Sequence, residues 1–150
     1  MKRLLAVVVL AVLALAQPAS AQTVLESDFT IEIPLPGGET LRESTTLVPL
    51  LPGACYNWRL QLGKVKSVLD ITEVYTLPAA PQSWGLGDDS SIVVADDQLS
   101  ATSTLRLAPL NGWIENGWCV AAGDPEGTYS FDILSGGMLL HRFEFEVRAL

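Results

Sequence analysis

The chain has 150 residues, 49% of them apolar, with 17 acidic residues against nine basic ones and a formal net charge of −8. That length makes one ordinary domain with enough chain to bury a core. The acidic excess repels polyanions, so binding to DNA or RNA is disfavoured.

The N-terminus reads as a leader. Lys2 and Arg3 precede an unbroken apolar run from Leu4 to Ala16. Gln17 and Pro18 break that run, and Ala19-Ser20-Ala21 supplies small residues where a signal peptidase cuts. Such a run is too short for the roughly 20 residues of a membrane span. The expectation is a cleaved secretory signal over residues 1–21, a single domain over 22–150, and a periplasmic or secreted location in a bacterium. No later stretch reads as a membrane span. Without Lys2 and Arg3 the remaining chain carries seven basic residues and a net charge of −10.

After residue 22 the chain shows strand signals punctuated by turns and no long helical period. Phe29, Ile31 and Ile33 alternate with Asp28, Thr30 and Glu32. Pro34, Pro36, Gly37 and Gly38 then make a turn. Thr40 to Val48 is a weaker β-branched stretch, and Leu51-Pro52-Gly53 is a second turn. In the next run Tyr56, Trp58, Leu60 and Leu62 share one face. Val65, Leu69, Ile71, Tyr75 and Leu77 form the inward face of one long bent strand or two. Pro78 to Ser91 is a loop near the long end of ordinary connections. Two short runs, Ile92 to Ala95 and Thr102 to Ala108, are split by Asp96 and Asp97. Asn111-Gly112 and Asn116-Gly117 are both hairpin signals. Tyr129, Phe131 and Ile133 face inward, Gly136-Gly137 turns, and Leu139, His141, Phe143, Phe145 and Val147 face inward again. This spacing predicts an all-β, antiparallel sandwich or barrel of about seven to nine strands.

Cys55 and Cys119 are the two cysteines. In an oxidising compartment two thiols of one domain pair, so a disulfide closing a 64-residue loop is expected. A redox pair has no Cys-x-x-Cys to lower a thiol pKa. A zinc or copper site draws on several His or Cys, and the chain has one His.

Asp124-Pro125-Glu126-Gly127-Thr128-Tyr129-Ser130-Phe131, followed by a glycine turn and Phe143-Glu144-Phe145-Glu146-Val147, resembles the closing strands of immunoglobulin-like and fibronectin-type sandwiches. The likeness covers Gly123 to Arg148. It implies that the Tyr129 hydroxyl bonds back to the backbone before its strand. It also implies that Phe131, not Cys119, stands where antibody domains keep their second cysteine. The bridge is then expected at a sheet edge or at strand ends, since Cys55 and Cys119 are out of phase with their apolar neighbours. Periplasmic copper-binding proteins of the CopC type close with a similar hairpin. Their several histidines are missing here, and only Met138 and His141 lie near the last turn.

Asp88-Asp89 and Asp96-Asp97 could offer carboxylates to calcium, though the EF-hand pattern is absent and acidic turn residues are common. No nucleophile elbow, phosphate loop or dinucleotide fingerprint appears. Of the four tryptophans, Trp58 belongs to a strand and reads as core. Trp84, Trp113 and Trp118 lie in or beside turns, where an indole either caps the sandwich or meets a ligand. The functional expectation is an exported, non-catalytic binding domain of the cell envelope, without a cofactor, whose partner is another envelope or secreted protein. The alternative is a carbohydrate-binding module using Trp84 and Trp113. A periplasmic copper- or calcium-binding protein or a hydrolase comes third.

Overall fold

The structure is a computed structural model that describes residues 22–65, 67–86 and 89–150. The expected signal segment, 1–21, and Asp88 lie outside those residues. Ten strands are described: β1 (Thr23–Pro34), β2 (Thr40–Ser44), β3 (Leu47–Pro49), β4 (Cys55–Gly63), β5 (Leu69–Thr76), β6 (Ile92–Val94), β7 (Ser100–Leu107), β8 (Trp113–Cys119), β9 (Gly127–Ser135) and β10 (Met138–Arg148). They form two sheets, a four-stranded one in the order β2-β1-β4-β8 and a six-stranded one in the order β3-β10-β9-β5-β7-β6. All pairs are antiparallel except β3 with β10. The all-β sandwich read from the sequence is the fold found.

Period-2 alternation builds the core. Tyr56, Trp58, Leu60 and Leu62 of β4 are buried and their neighbours half-buried. Across from them, Ile71 and Tyr75 of β5, Tyr129, Phe131 and Ile133 of β9, and Phe143, Phe145 and Val147 of β10 complete the interior. Aromatic rings run through its centre, with Phe131 stacked on Tyr75 and Phe145 stacked on Phe29. Burying this much ring area is the main favourable term in the fold, at about 25 cal/mol per Å² of apolar surface.

The strand count exceeds the expected range because one stretch divides and one short run forms its own edge strand. Thr40 to Val48 is two strands in different sheets: β2 pairs with β1, while β3 crosses to lie parallel to β10. Hydrophobic pattern alone does not specify such a switch, because β2 is exposed at every position. Asn111-Gly112 is a tight turn with both residues at positive φ, +53° and +84°, and it reverses the chain between Leu110 and Trp113. Asn116-Gly117 is not a turn. It lies inside β8, where a Cβ on Gly117 would fall 2.0 Å from Asn57 Oδ1 and 2.5 Å from the Tyr56 carbonyl oxygen. Close approach of β4, rather than a reversal of the chain, requires that glycine. Consequently Trp118 is a strand residue opposite Tyr56, not a turn residue.

Two inward assignments also change. A register shift between Leu139 and His141 turns Leu139 out to solvent and brings Leu140 against the core. On β5 the inward face continues through Glu73, which is fully buried between Ile71 and Tyr75.

Candidate functional site

Glu73 organises one end of the sandwich interior. Trp58 Nε1 donates to its Oε2, Asn116 Nδ2 donates to the same oxygen at 3.0 Å, and Trp118 Nε1 donates to Oε1 at 2.8 Å. Its two oxygens accept from all three donors. Both sheets contribute: Glu73 comes from the six-stranded sheet, its three donors from β4 and β8 of the other. The carboxyl group therefore ties the two layers together at the edge strand β8.

The Tyr56 and Tyr75 hydroxyls bond each other beside this cluster. Burial pushes both phenols above the ordinary tyrosine range. Trp84 reaches in from the Pro78–Ser91 loop, half-buried, with its ring edge-on to Tyr75 and Trp118. Its Nε1 is buried without a partner among the described residues. The loop is held by Gln82, whose N–H donates to the Gly123 carbonyl at 3.1 Å. Asp124 accepts the Ala121 N–H at 2.8 Å, and burial raises its pKa against that bond.

Cys55 and Cys119 are bonded, with S–S 1.98 Å, and are direct register partners on β4 and β8. The bridge lies within one sheet, at the ends of both strands, and β8 is an edge of its sheet. This is the placement expected from alternation, outside the core and away from Trp58. Past it, the Val120 N–H donates to the Ala54 carbonyl and the Gly53 N–H to the Val120 carbonyl, so the ladder continues for one more pair.

Beside the Glu73 cluster the two edge regions, β8 on one sheet and β6–β7 on the other, enclose a cleft of about 340 Å³. Its wall carries Ser103, Leu105, Asn116, Trp118 and Cys119, with Asp89 and Ser91 at the loop side. Ser103 is the register partner of Glu73, is 1% exposed, and among the described residues its hydroxyl has no hydrogen-bond partner.

Trp113 stands at the other end of β8, five residues from Trp118, or roughly 16 Å along a strand. Its ring lies under the Arg59 guanidinium, 4.8 Å from the ring centre, a cation–π arrangement. Arg59 Nε also sits 3.0 Å from Glu115 Oε2. With Leu107, Leu110 and Ile114 these residues line a recess of about 270 Å³ at the Asn111-Gly112 turn, and Leu110 is 75% exposed. Trp84 and Trp113 are thus not brought together.

The other candidate residues go elsewhere. His141 is half-buried against Phe143, and burial lowers its pKa. It borders an open groove with Asp28, Ser44 and Thr45. Asp89 accepts both the N–H and the hydroxyl of Ser91, which lower its pKa, and Asp97 accepts the Leu99 N–H. Both are local turn bonds. Among the described residues no three of His, Cys, Asp and Glu converge.

At the closing hairpin the Tyr129 hydroxyl donates to the Pro125 carbonyl at 2.6 Å. This is the tyrosine corner that the resemblance implied. Residues 28–148 match the family described as the PM0630 beta sandwich domain. The chain belongs to that family. The chain is also similar to the crystal structure of an immunoglobulin-like protein, PA1606, from Pseudomonas aeruginosa. The identity is 17%, 88% of this chain and 100% of that one are covered, and the TM-score is 0.59. At that identity the likeness establishes the immunoglobulin-like fold and no activity. The Pseudomonas fluorescens alkylpurine DNA glycosylase AlkC, bound to DNA containing an abasic site analog, is 15% identical over 69% of this chain and 28% of its own. Its TM-score of 0.36 carries no argument. No curated protein matches the sequence.

Proposed function

We propose that the chain is an exported, non-catalytic binding domain of the bacterial cell envelope, which docks another envelope or secreted protein through the Trp113 recess. The observation that carries this reading is the recess itself. It combines a tryptophan and an arginine stacked on it, the residue types that dominate interface energetics, with an exposed apolar leucine beside them at a tight turn. The disulfide and the immunoglobulin-like sandwich are consistent with a location outside the cytoplasm. A binding role is supported further because several groups with catalytic chemistry are engaged in the scaffold. Both thiols are bonded, Glu73 holds three donors and the two buried phenols bond each other. The test places a photo-crosslinking amino acid at Leu110 and, as a control, at Gly37 in living cells. A discrete adduct from position 110 alone, lost on Trp113→Ala, is expected. Equal adducts from both positions, or none from 110, overturn the reading.

A carbohydrate ligand is the second reading, favoured by the indole of Trp113 flanked by Arg59 and Glu115. Quenching of Trp113 fluorescence by cell-wall oligosaccharides, abolished by Trp113→Ala, is its signature.

A further inference from the structure

The cleft between β8 and β6–β7 is separate from the Trp113 recess. We propose that it binds an organic cation, the alkylammonium or guanidinium end of a lysine or arginine side chain on a partner protein. Its failure would leave the reading of the Trp113 recess standing.

Two independent observations point there. The first is Ser103, whose buried hydroxyl has no partner among the described residues although it forms part of the cleft wall. A buried hydroxyl without a hydrogen bond is costly, and such groups are uncommon in native folds. A donor entering the cleft would satisfy it. The second is the carboxyl group behind that wall together with the carboxylate at the rim. Glu73 is fully buried, is held by neutral donors only, and among the described residues lies in no salt bridge. As the cross-strand partner of Ser103, Glu73 stands one side-chain layer from the cleft. Asp89 lies at the rim, and the net charge of the whole chain is −8, which favours a cationic guest.

The geometry favours an organic cation over a metal ion. Calcium takes six to eight oxygens, and among the described lining residues Asp89 alone has a carboxylate. The remaining walls, Trp118, Leu105 and Ile92, are apolar. They suit the methylene stem of a lysine or arginine, with the indole offering a face to its charge. Ser103 and the Asn116 amide oxygen are the acceptors for the N–H groups, and Asn116 already gives its Nδ2 to Glu73.

The test follows the four indole N–H resonances of the isotope-labelled protein. The probes are a blocked hexapeptide carrying two lysines, the same peptide acetylated on both ε-amines, butylammonium chloride and calcium chloride. The lysine peptide should shift Trp118 saturably, with a millimolar Kd, and leave Trp113 in place; the acetylated peptide should be silent. Butylammonium binding as tightly as the peptide would assign the cleft to free amines instead of a protein side chain. Ser103→Ala should weaken peptide binding about fivefold while leaving the melting temperature unchanged or higher, because the lost hydroxyl had no partner. Asp89→Asn, at an exposed rim position, should weaken binding about twofold and lose that effect in high salt. A Trp118 shift from calcium alone, equal shifts from the acetylated peptide, or unchanged affinity in both variants overturns the proposal.

Discussion

Trp118 and Trp113 sit on one strand, five residues apart, and lead different lives. Trp118 packs against the core, gives its Nε1 to Glu73 and touches Tyr75 and Trp84. Trp113 is half-buried outside that cluster, covered by Arg59 and open to a recess. Five residues apart, they fall on opposite faces of the strand: Trp118 pairs with the inward Tyr56, Trp113 with the outward Gln61. The inward indole meets the buried carboxyl of Glu73 and is structural, while the outward one is left on a surface that can recognise something. Substitutions at either end of β8 test that difference.

The largest effect is expected from the disulfide, which clamps the Trp118 end of β8 to β4. Replacing both cysteines by alanine releases a 64-residue loop and should cost about 4 kcal/mol in the chain-entropy account, less if the unfolded chain stays compact. Chemical denaturation of the two forms measures it. Because β8 is an edge strand, hydrogen exchange should rise first at Asn116 to Cys119 and last at Phe131. Uniform exchange would mean that the bridge does not anchor that end locally.

Removal of Glu73 comes next. Glu73→Ala leaves Trp58, Asn116 and Trp118 donors buried and unpaired, at about 1–3 kcal/mol for each that finds no water, so a loss of roughly 3 kcal/mol is expected. Glu73→Gln keeps one acceptor oxygen and should lose less. If Glu73→Leu were instead neutral, the carboxylate would be dispensable to packing, as happens when a buried polar group is replaced by a hydrophobe of similar size.

How far these features were legible follows from what alternation can carry. Every inward residue expected on β4 is buried, and so are Tyr129, Phe131 and Ile133 on β9. The Tyr129 corner was readable because its residues are contiguous. Glu73 was missed although the signal was present. It occupies the vacant position in the series Leu69, Ile71, Tyr75, Leu77, and its charge made the alternation look interrupted. Its three donors lie 15, 43 and 45 residues away, so no local window could join them to it. Asn116-Gly117 failed for a different reason. The dipeptide permits a turn, but Gly117 is there because Asn57 and Tyr56 of the neighbouring strand come too close for a side chain. The cleft and the Trp113 recess draw on residues from several strands, and periodicity gives faces rather than neighbours.

The smallest stability effects are the most telling comparison. Trp118→Phe keeps most of the ring and removes one hydrogen bond, leaving a buried carboxyl oxygen without that donor at a cost of about 1–3 kcal/mol. Trp113→Phe removes no hydrogen bond and leaves Arg59 over an aromatic ring, so it should fall within about 0.5 kcal/mol of the wild type. Trp113→Ala gives up part of an exposed contact, leaves no closed cavity, and should cost no more than about 1 kcal/mol. The two ends then separate in opposite directions. The Trp118 variant loses stability and keeps partner capture at the recess, and the Trp113 variants keep stability, with Trp113→Ala losing capture. Paired melting curves and crosslinking yields from Leu110 read both quantities on the same proteins. A Trp113→Ala variant that melted several degrees lower would place that indole with the core, and the difference between the two ends of β8 would be one of degree only.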